Sequence, residues 1–227
     1  MIIEVEGTDG SGKATQVELL DKYFKSNNIS CTKFSFPNYE DNLADLVVRY
    51  LKGDFGGINS LDAYQANSFY AVNRLATLKL REKDLNNSEY VLFDRYVGST
   101  MLHQSALFET KDEVDEFLNY VDEFEFNKLK LPRADVVLFL DMPVEFSKKL
   151  ADARGKYKSN AERDIYEENV EHLKKAYNIG KYVAEKYNWL IIPCVKDGKI
   201  KSVEEIHNEI LTKLGLKWYN KLIKGYY

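Results

Sequence analysis

The stretch GTDGSGKAT, residues 7–15, places glycines at 7, 10 and 12 and a lysine at 13. The spacing G-x-x-x-x-G-K suits a loop that holds phosphate. Glycines admit tight backbone turns whose N–H groups point inward, and the lysine adds a point charge for the outer phosphates. The loop follows IIEVE (2–6), which reads as a strand, and opens a segment at 13–27 that reads as a helix. The helix's positive end would strengthen such an anion site. Ala14 stands where the pattern places Ser or Thr, whose hydroxyl touches magnesium. Thr15 does not replace it, because one step along a helix turns ~100°. The cradle of backbone and Lys13 is intact, and a water can take the missing position, since magnesium keeps several waters in such sites. A glycine-rich strand-to-helix turn without ligand is the alternative.

A second constellation is LFDRYVGST (92–100), with Asp94 and Arg95 at the carboxyl end of an expected strand. Open α/β sheets bind ligands at that edge. A carboxylate there suits magnesium or its water shell. A guanidinium suits phosphate, because its fork makes bidentate bonds. An ordinary strand-end ion pair is an equal reading. A third is ARGKYKSNAERDIYEE (153–168), which carries Arg154, Lys156, Lys158 and Arg163. A charge run of this kind is commonly a solvated face. Phosphoryl transfer gives it another use, since a mobile cation can neutralise charge on the migrating group.

Elements must position these residues. Strand-like runs at 2–6, 31–36, 90–93, 135–141 and 189–193 alternate with helical patterns at 13–27, 43–51, 61–82, 112–129, 164–187 and 202–213. Strands separated by helices predict a parallel sheet covered on both faces. No repeat, low-complexity tract or Pro/Gly-rich linker interrupts the chain, so 1–227 reads as one domain.

Composition narrows the class. Against 32 basic residues stand 36 acidic ones, for a formal net charge of -4, which gives no sign of a nucleic-acid surface. No apolar run approaches the ~20 residues of a membrane helix, and no signal-type segment precedes the first strand. Cys31 and Cys194 lack metal-type spacing and read as buried thiols of a reducing compartment. The expectation is a cytoplasmic protein.

Taken together, EGTDGSGKATQ (6–16), FPNY (36–39), NSFYAVNR (67–74), DRYVGST (94–100) and the basic stretch from Arg154 resemble thymidylate kinases, in the family's order and with similar spacings. The resemblance runs to about residue 214. It implies a three-layer α/β P-loop kinase fold with a five-stranded parallel sheet of order 2-3-1-4-5. It also implies a homodimer and transfer of the terminal phosphate of ATP to dTMP with Mg2+. The loop residues Gly7, Asp9, Gly10, Ser11, Gly12, Lys13, Ala14 and Thr15 would meet ATP, with Arg154 and Arg163 in a mobile lid at about 152–166. Asp94 would stand near the metal. Asp9 would meet the sugar 3′-OH, and Tyr39 and Arg95 the acceptor phosphate. Arg74 would bond a base carbonyl. Tyr70, one helical turn before it, would stack on the base, with neighbouring Phe69 as the alternative ring. Phe36 and Pro37 belong to the same motif, and Thr100 and Gln104 fall in the segment that reads the base edge. The catalytic set implied is Lys13, Arg95, Arg154 and Asp9. Three positions depart from the family's usual residues. Ala14 is one. Tyr70 replaces a Phe. His103 replaces a Tyr that crowds the sugar's 2′ position, so discrimination against ribonucleotides is the property this last departure touches. The tail at about 215–227, aromatic and basic, would pack on the body or on a partner subunit.

Two other functions fit the same loop. A deoxynucleoside kinase would need a general base just after the second strand, where Phe36 and Pro37 stand instead. A non-catalytic nucleotide-binding module would exploit the hydroxyl lost at Ala14.

Overall fold

A computed structural model describes residues 1–39, 42–57, 60–155 and 169–216, the side chains of 151–155 excepted. Strands β1 (Ile2–Glu6), β2 (Cys31–Ser35), β3 (Tyr90–Asp94), β4 (Val136–Asp141) and β5 (Leu190–Pro193) form one sheet of order β2-β3-β1-β4-β5. Every pairing in it is parallel. The helices between strands are the crossovers that parallel neighbours require.

On one face, α1 (Lys13–Ser26) and the last helix, Val203–Lys213, cover Ile3, Val5, Leu92, Leu138 and Ile192. On the other, α2 (Asp45–Leu51), α3 (Ala63–Leu80), α4 (Glu82–Asn87), α5 (Val97–His103) and α6 (Lys111–Val121) precede β4. There Phe34, Val91, Phe93, Tyr96 and Phe117 make a second core. Helices α7 (Val144–Gly155) and α8 (Val170–Lys186) lead to β5, and α9 is the Val203–Lys213 helix. Local chemistry starts three of these helices. Asp62, Thr110 and Ser202 each accept the N3 backbone N–H, and Gln65, Glu113 and Glu205 answer as capping boxes.

The strand expectations hold within a residue or two at their ends. The helix expected at 61–82 is α3, within two residues at each end; the one expected at 112–129 changes character at Asp122, and α4 and α5 were not anticipated. A two-stranded hairpin, β6 (Val195–Lys196) with β7 (Lys199–Ile200), was also not anticipated. From Asp122 to Lys128 the backbone is π-helical, one residue wider per turn. No helix among the described residues is long and apolar enough to cross a membrane. Cys31 is half-buried rather than buried, Cys194 is buried, and burial pushes both thiols up to about 12. The lid expected at about 152–166, Arg163 included, lies outside the described residues from 156 on, as does the tail from 217; Arg154 falls on α7 as backbone only.

Candidate active site

The carboxyl ends of β1 and β3 lie side by side, with Val5 opposite Asp94. The glycine loop and the Asp94–Arg95 turn therefore emerge together. Gly12 caps α1 at φ 99°, a left-handed conformation that glycine adopts without strain. Gly7 is needed for space: a Cβ there would lie 2.8 Å from Ser11 Oγ and 3.1 Å from the Leu140 carbonyl. The first N–H groups of α1 have no acceptor within the helix. The hydroxyls of Ser11 and Thr8 are buried with no hydrogen-bond partner among the described residues. Lys13 Nζ donates to the Gly7 and Thr8 carbonyls at 2.7 and 2.9 Å, so its ammonium bridges the loop it serves. Burial, then the Arg95 charge, lowers Lys13 to about 8. These are donors in search of an anion.

Asp9 and Arg95 form an ion pair across the cleft. Burial pushes the Asp9 carboxyl up, but Arg95 and then Lys13 outweigh it and hold the carboxyl well below its usual range. Arg95 itself sits at φ 64°, the left-handed region, which turns its side chain off the strand's line. Behind it lies Glu6, fully buried. One carboxylate oxygen accepts the Tyr96 N–H at 2.8 Å, and the carboxylate accepts the Ser99 hydroxyl at 2.8 and 3.1 Å. Burial raises both Glu6 and Glu4, its neighbour on the same face of β1. Gly98 lets α5 approach this pair, since a Cβ there would stand 2.6 Å from Glu4 Oε1.

Beside the Asp9–Arg95 pair opens a cavity of about 560 Å³, solvent at its opening included. Asp9, Phe36, Pro37, Tyr39, Tyr70, Arg74, Arg95, Thr100, His103 and Gln104 all line it, so every residue expected to meet an acceptor is brought together. Leu51 and Ser99 also line it and were not singled out. Leu51 ends the apolar stripe of α2, and Ser99 lies inside the DRYVGST motif, so both carried a signal.

The two candidate rings take different positions. Tyr70 faces the cavity, set edge-on to buried Tyr50 at 6.3 Å. Phe69 packs instead on Phe55 at 5.3 Å and on Tyr50. Phe36 is buried among Phe93 and Tyr96 as well as lining the cavity. Tyr39 is 64% exposed. His103 is buried against His172 of α8, their rings 6.2 Å apart, and burial lowers it to about 3. It is therefore neutral at any ordinary pH. Asp94 stands at the strand end close enough for its charge to act on Lys13. Arg74 is nearly inaccessible and paired with Glu125, a partner not foreseen.

A parallel sheet of order 2-3-1-4-5, a phosphate loop after β1 and a cavity lined by Arg95, Tyr70 and Arg74 beside it define a P-loop nucleotide kinase. The family model for thymidylate kinase matches residues 5–210. The chain is 32% identical over 211 residues to a probable thymidylate kinase of Methanocaldococcus jannaschii, covering 93% of this chain and 94% of that one. It is 28% identical over 213 residues to the thymidylate kinase of Plasmodium falciparum, covering 93% and 88%. In architecture it is similar to the solved thymidylate kinase of Candida albicans, with a TM-score of 0.70 over 95% of this chain and 91% of that one at 20% identity. The chain belongs to the thymidylate kinase family.

Proposed function

We propose that this chain transfers the terminal phosphoryl group of ATP to dTMP, as its family implies, with the loop at 7–15 as donor site and the cavity beside it as acceptor site. The observation that carries the reading is the lining of that cavity. An anion clamp, Arg95 with Asp9, stands at one side, and an aromatic ring with a buried arginine, Tyr70 and Arg74, at another. A monophosphate needs such a clamp rather than a general base, because its attacking oxygen is already anionic.

In this reading Lys13 leaves the Gly7 and Thr8 carbonyls to meet the ATP phosphates. Arg95 holds the acceptor phosphate in line with them, assisted by Tyr39. Asp9 orients Arg95 and meets the sugar 3′-OH. Tyr70 stacks on the base, with Arg74, Thr100 and Gln104 at its edge. Magnesium, held by the nucleotide phosphates with Asp94 and water, would spread the charge on those phosphates. The residues present suit that arrangement: Asp94 ends β3 beside the loop, and Ala14 carries no side-chain oxygen, so water would take the place of a hydroxyl ligand. Arg154 supplies the mobile cation, with Arg163 second. The segment at about 152–166 acts as the lid within a single domain. We further propose a cytoplasmic homodimer acting on small molecules. Val72 and Leu80 of α3, 57% and 75% exposed, offer surface that a second copy would cover.

A coupled ADP-release assay with dTMP, thymidine, dUMP, dGMP and CMP tests the reading. Turnover of dTMP well above the others is expected. Activity on thymidine without dTMP would identify a nucleoside kinase, and ATP binding with no turnover a non-catalytic module. The stacking role has its own test. Replacing Tyr70 by Ala should cost roughly 1–3 kcal/mol of dTMP binding, and Tyr70→Phe much less, because the ring does the stacking. If calorimetry finds the loss in Phe69→Ala and not in Tyr70→Ala, the ring is misassigned.

A further inference from the structure

Arg74 has five N–H donors in a rigid fork. Nε donates to Glu125 Oε2 at 2.7 Å, and Nη2 to Glu125 Oε1 at 2.6 Å. Nη2 also approaches Asn67 Oδ1 at 3.2 Å and Thr100 Oγ at 3.0 Å. Nη1 donates once, to the Tyr96 carbonyl at 3.2 Å. One Nη1 hydrogen is left without a protein partner among the described residues. The side chain lines the acceptor cavity, with Tyr70's ring 6.0 Å from its guanidinium carbon. Thr100 passes its own hydroxyl hydrogen to Asn67 at 3.0 Å, so that group is committed inward.

Glu125 reaches Arg74 from the π-helical segment Asp122–Lys128. The residues on either side of it are engaged elsewhere. Phe124 stacks on Tyr120 at 5.5 Å, and Phe126 carries Arg133 at 4.2 Å over its ring. A one-residue change of register would turn the helix ~100° and put an apolar ring in place of the carboxylate. π-Helical turns often occur at functional sites. This one delivers a fully buried carboxylate to a nearly inaccessible guanidinium.

We infer that Glu125 is a positioning residue for acceptor-base selection: it locks the Arg74 fork so that one N–H remains for one carbonyl oxygen on the base. The inference rests on the cavity being the acceptor site. A fork presenting a single donor accepts a base carbonyl and rejects an amino group there, because the amino group leaves two donors facing each other unpaired. Recognition therefore depends on the guanidinium's angle, and the angle depends on Glu125.

Glu125→Gln keeps the shape but turns one anchoring oxygen into a donor. Its KM for dTMP should rise about ten-fold, and its kcat/KM preference for dTMP over dCMP should fall about as much, with KM for ATP within about two-fold of wild type. If Glu125→Gln only lowers the melting temperature and the dTMP/dCMP preference stays, the inference is overturned. Should that variant fail to fold, the paired variant Arg74→Met with Glu125→Leu decides, since apolar replacement of a buried ion pair commonly restores stability. It should fold with the preference gone; a retained preference overturns the inference. Absence of dTMP turnover in wild type would remove the function and this inference together. A wild-type preference that survives in Glu125→Gln removes this inference alone.

Discussion

Lys13→Ala should lower kcat at least about 100-fold while leaving the fold intact. The expectation follows from position. The ammonium is buried and is the one cation of residues 7–15, whose other donors are backbone N–H groups and the Thr8 and Ser11 hydroxyls, so no other charge in the loop takes its place. Removing one fixed donor from charge that develops in a transition state costs ~2.7–4 kcal/mol. Truncation removes the cost of burying a charge but frees the Gly7 and Thr8 carbonyls, so the variant should stay folded with a modest change in melting temperature. A pH profile gives an independent check. In the free enzyme Lys13 is lowered to about 8, first by burial. The phosphates of ATP attract the charged form only. Below about 8 the ammonium is present and kcat/KM for ATP is at its plateau; it should fall as pH rises through that value. ATP binding above it should take up a proton, measurable as a buffer-dependent heat. A flat profile, or turnover near wild type in Lys13→Ala, would remove Lys13 from the donor site.

Arg95→Ala should reduce kcat/KM at least about 100-fold for every monophosphate alike, about 2.7 kcal/mol in the transition state. Arg95 faces the acceptor cavity with Asp9 as its ion-pair partner, and Ser99 Oγ lies 3.5 Å from its other terminal nitrogen. It reads phosphate, not base. The ratio of dTMP to dUMP activity should therefore survive. Arg95→Lys should fall between, because it keeps the charge but not the fork. The left-handed backbone at this position strains arginine and alanine alike, since both carry a Cβ, so it cancels between variant and wild type; the melting temperature then reports the loss of the Asp9 ion pair. The acid limb of the pH profile should also move upward. Arg95 is the largest of the charges that outweigh burial at Asp9, ahead of Lys13, so without it the carboxyl gains its proton at higher pH. Loss of thymine preference with phosphate affinity retained would contradict the assignment.

Much of this site is legible before folding because its key residues are local in sequence. A phosphate loop is a contiguous strand, turn and helix start, and glycine spacing with a lysine encodes it. The DRY turn and the FPNY motif are also short, and each follows a strand whose end delivers it to the same sheet edge. Helix α3 carries Tyr70 and Arg74 on one face by its own period. Alternation of apolar strands with helical stripes implied a parallel sheet; the strand order came with the resemblance, and the structure bears it out.

What periodicity could not reveal is where polar residues are taken out of water. Glu4 and Glu6 alternate with Ile3 and Val5 on β1, and α5 with the turn before it buries both, offering N–H and hydroxyl groups as partners. The difference lies in a helix that returns over the sheet about ninety residues later, bringing Gly98 close enough to make room. Glu125 looks like a surface acid in a charged helix. Only a change from α to π turns, together with a guanidinium from α3 waiting beneath, makes it an interior anchor. Sequence alone thus determined which contiguous segments come to the sheet edge, because backbone geometry repeats locally. The pairing of Arg95 with Asp9, and of Arg74 with Glu125, was decided by tertiary contact. An ion pair is favourable inside only where another part of the chain supplies its partner and excludes water.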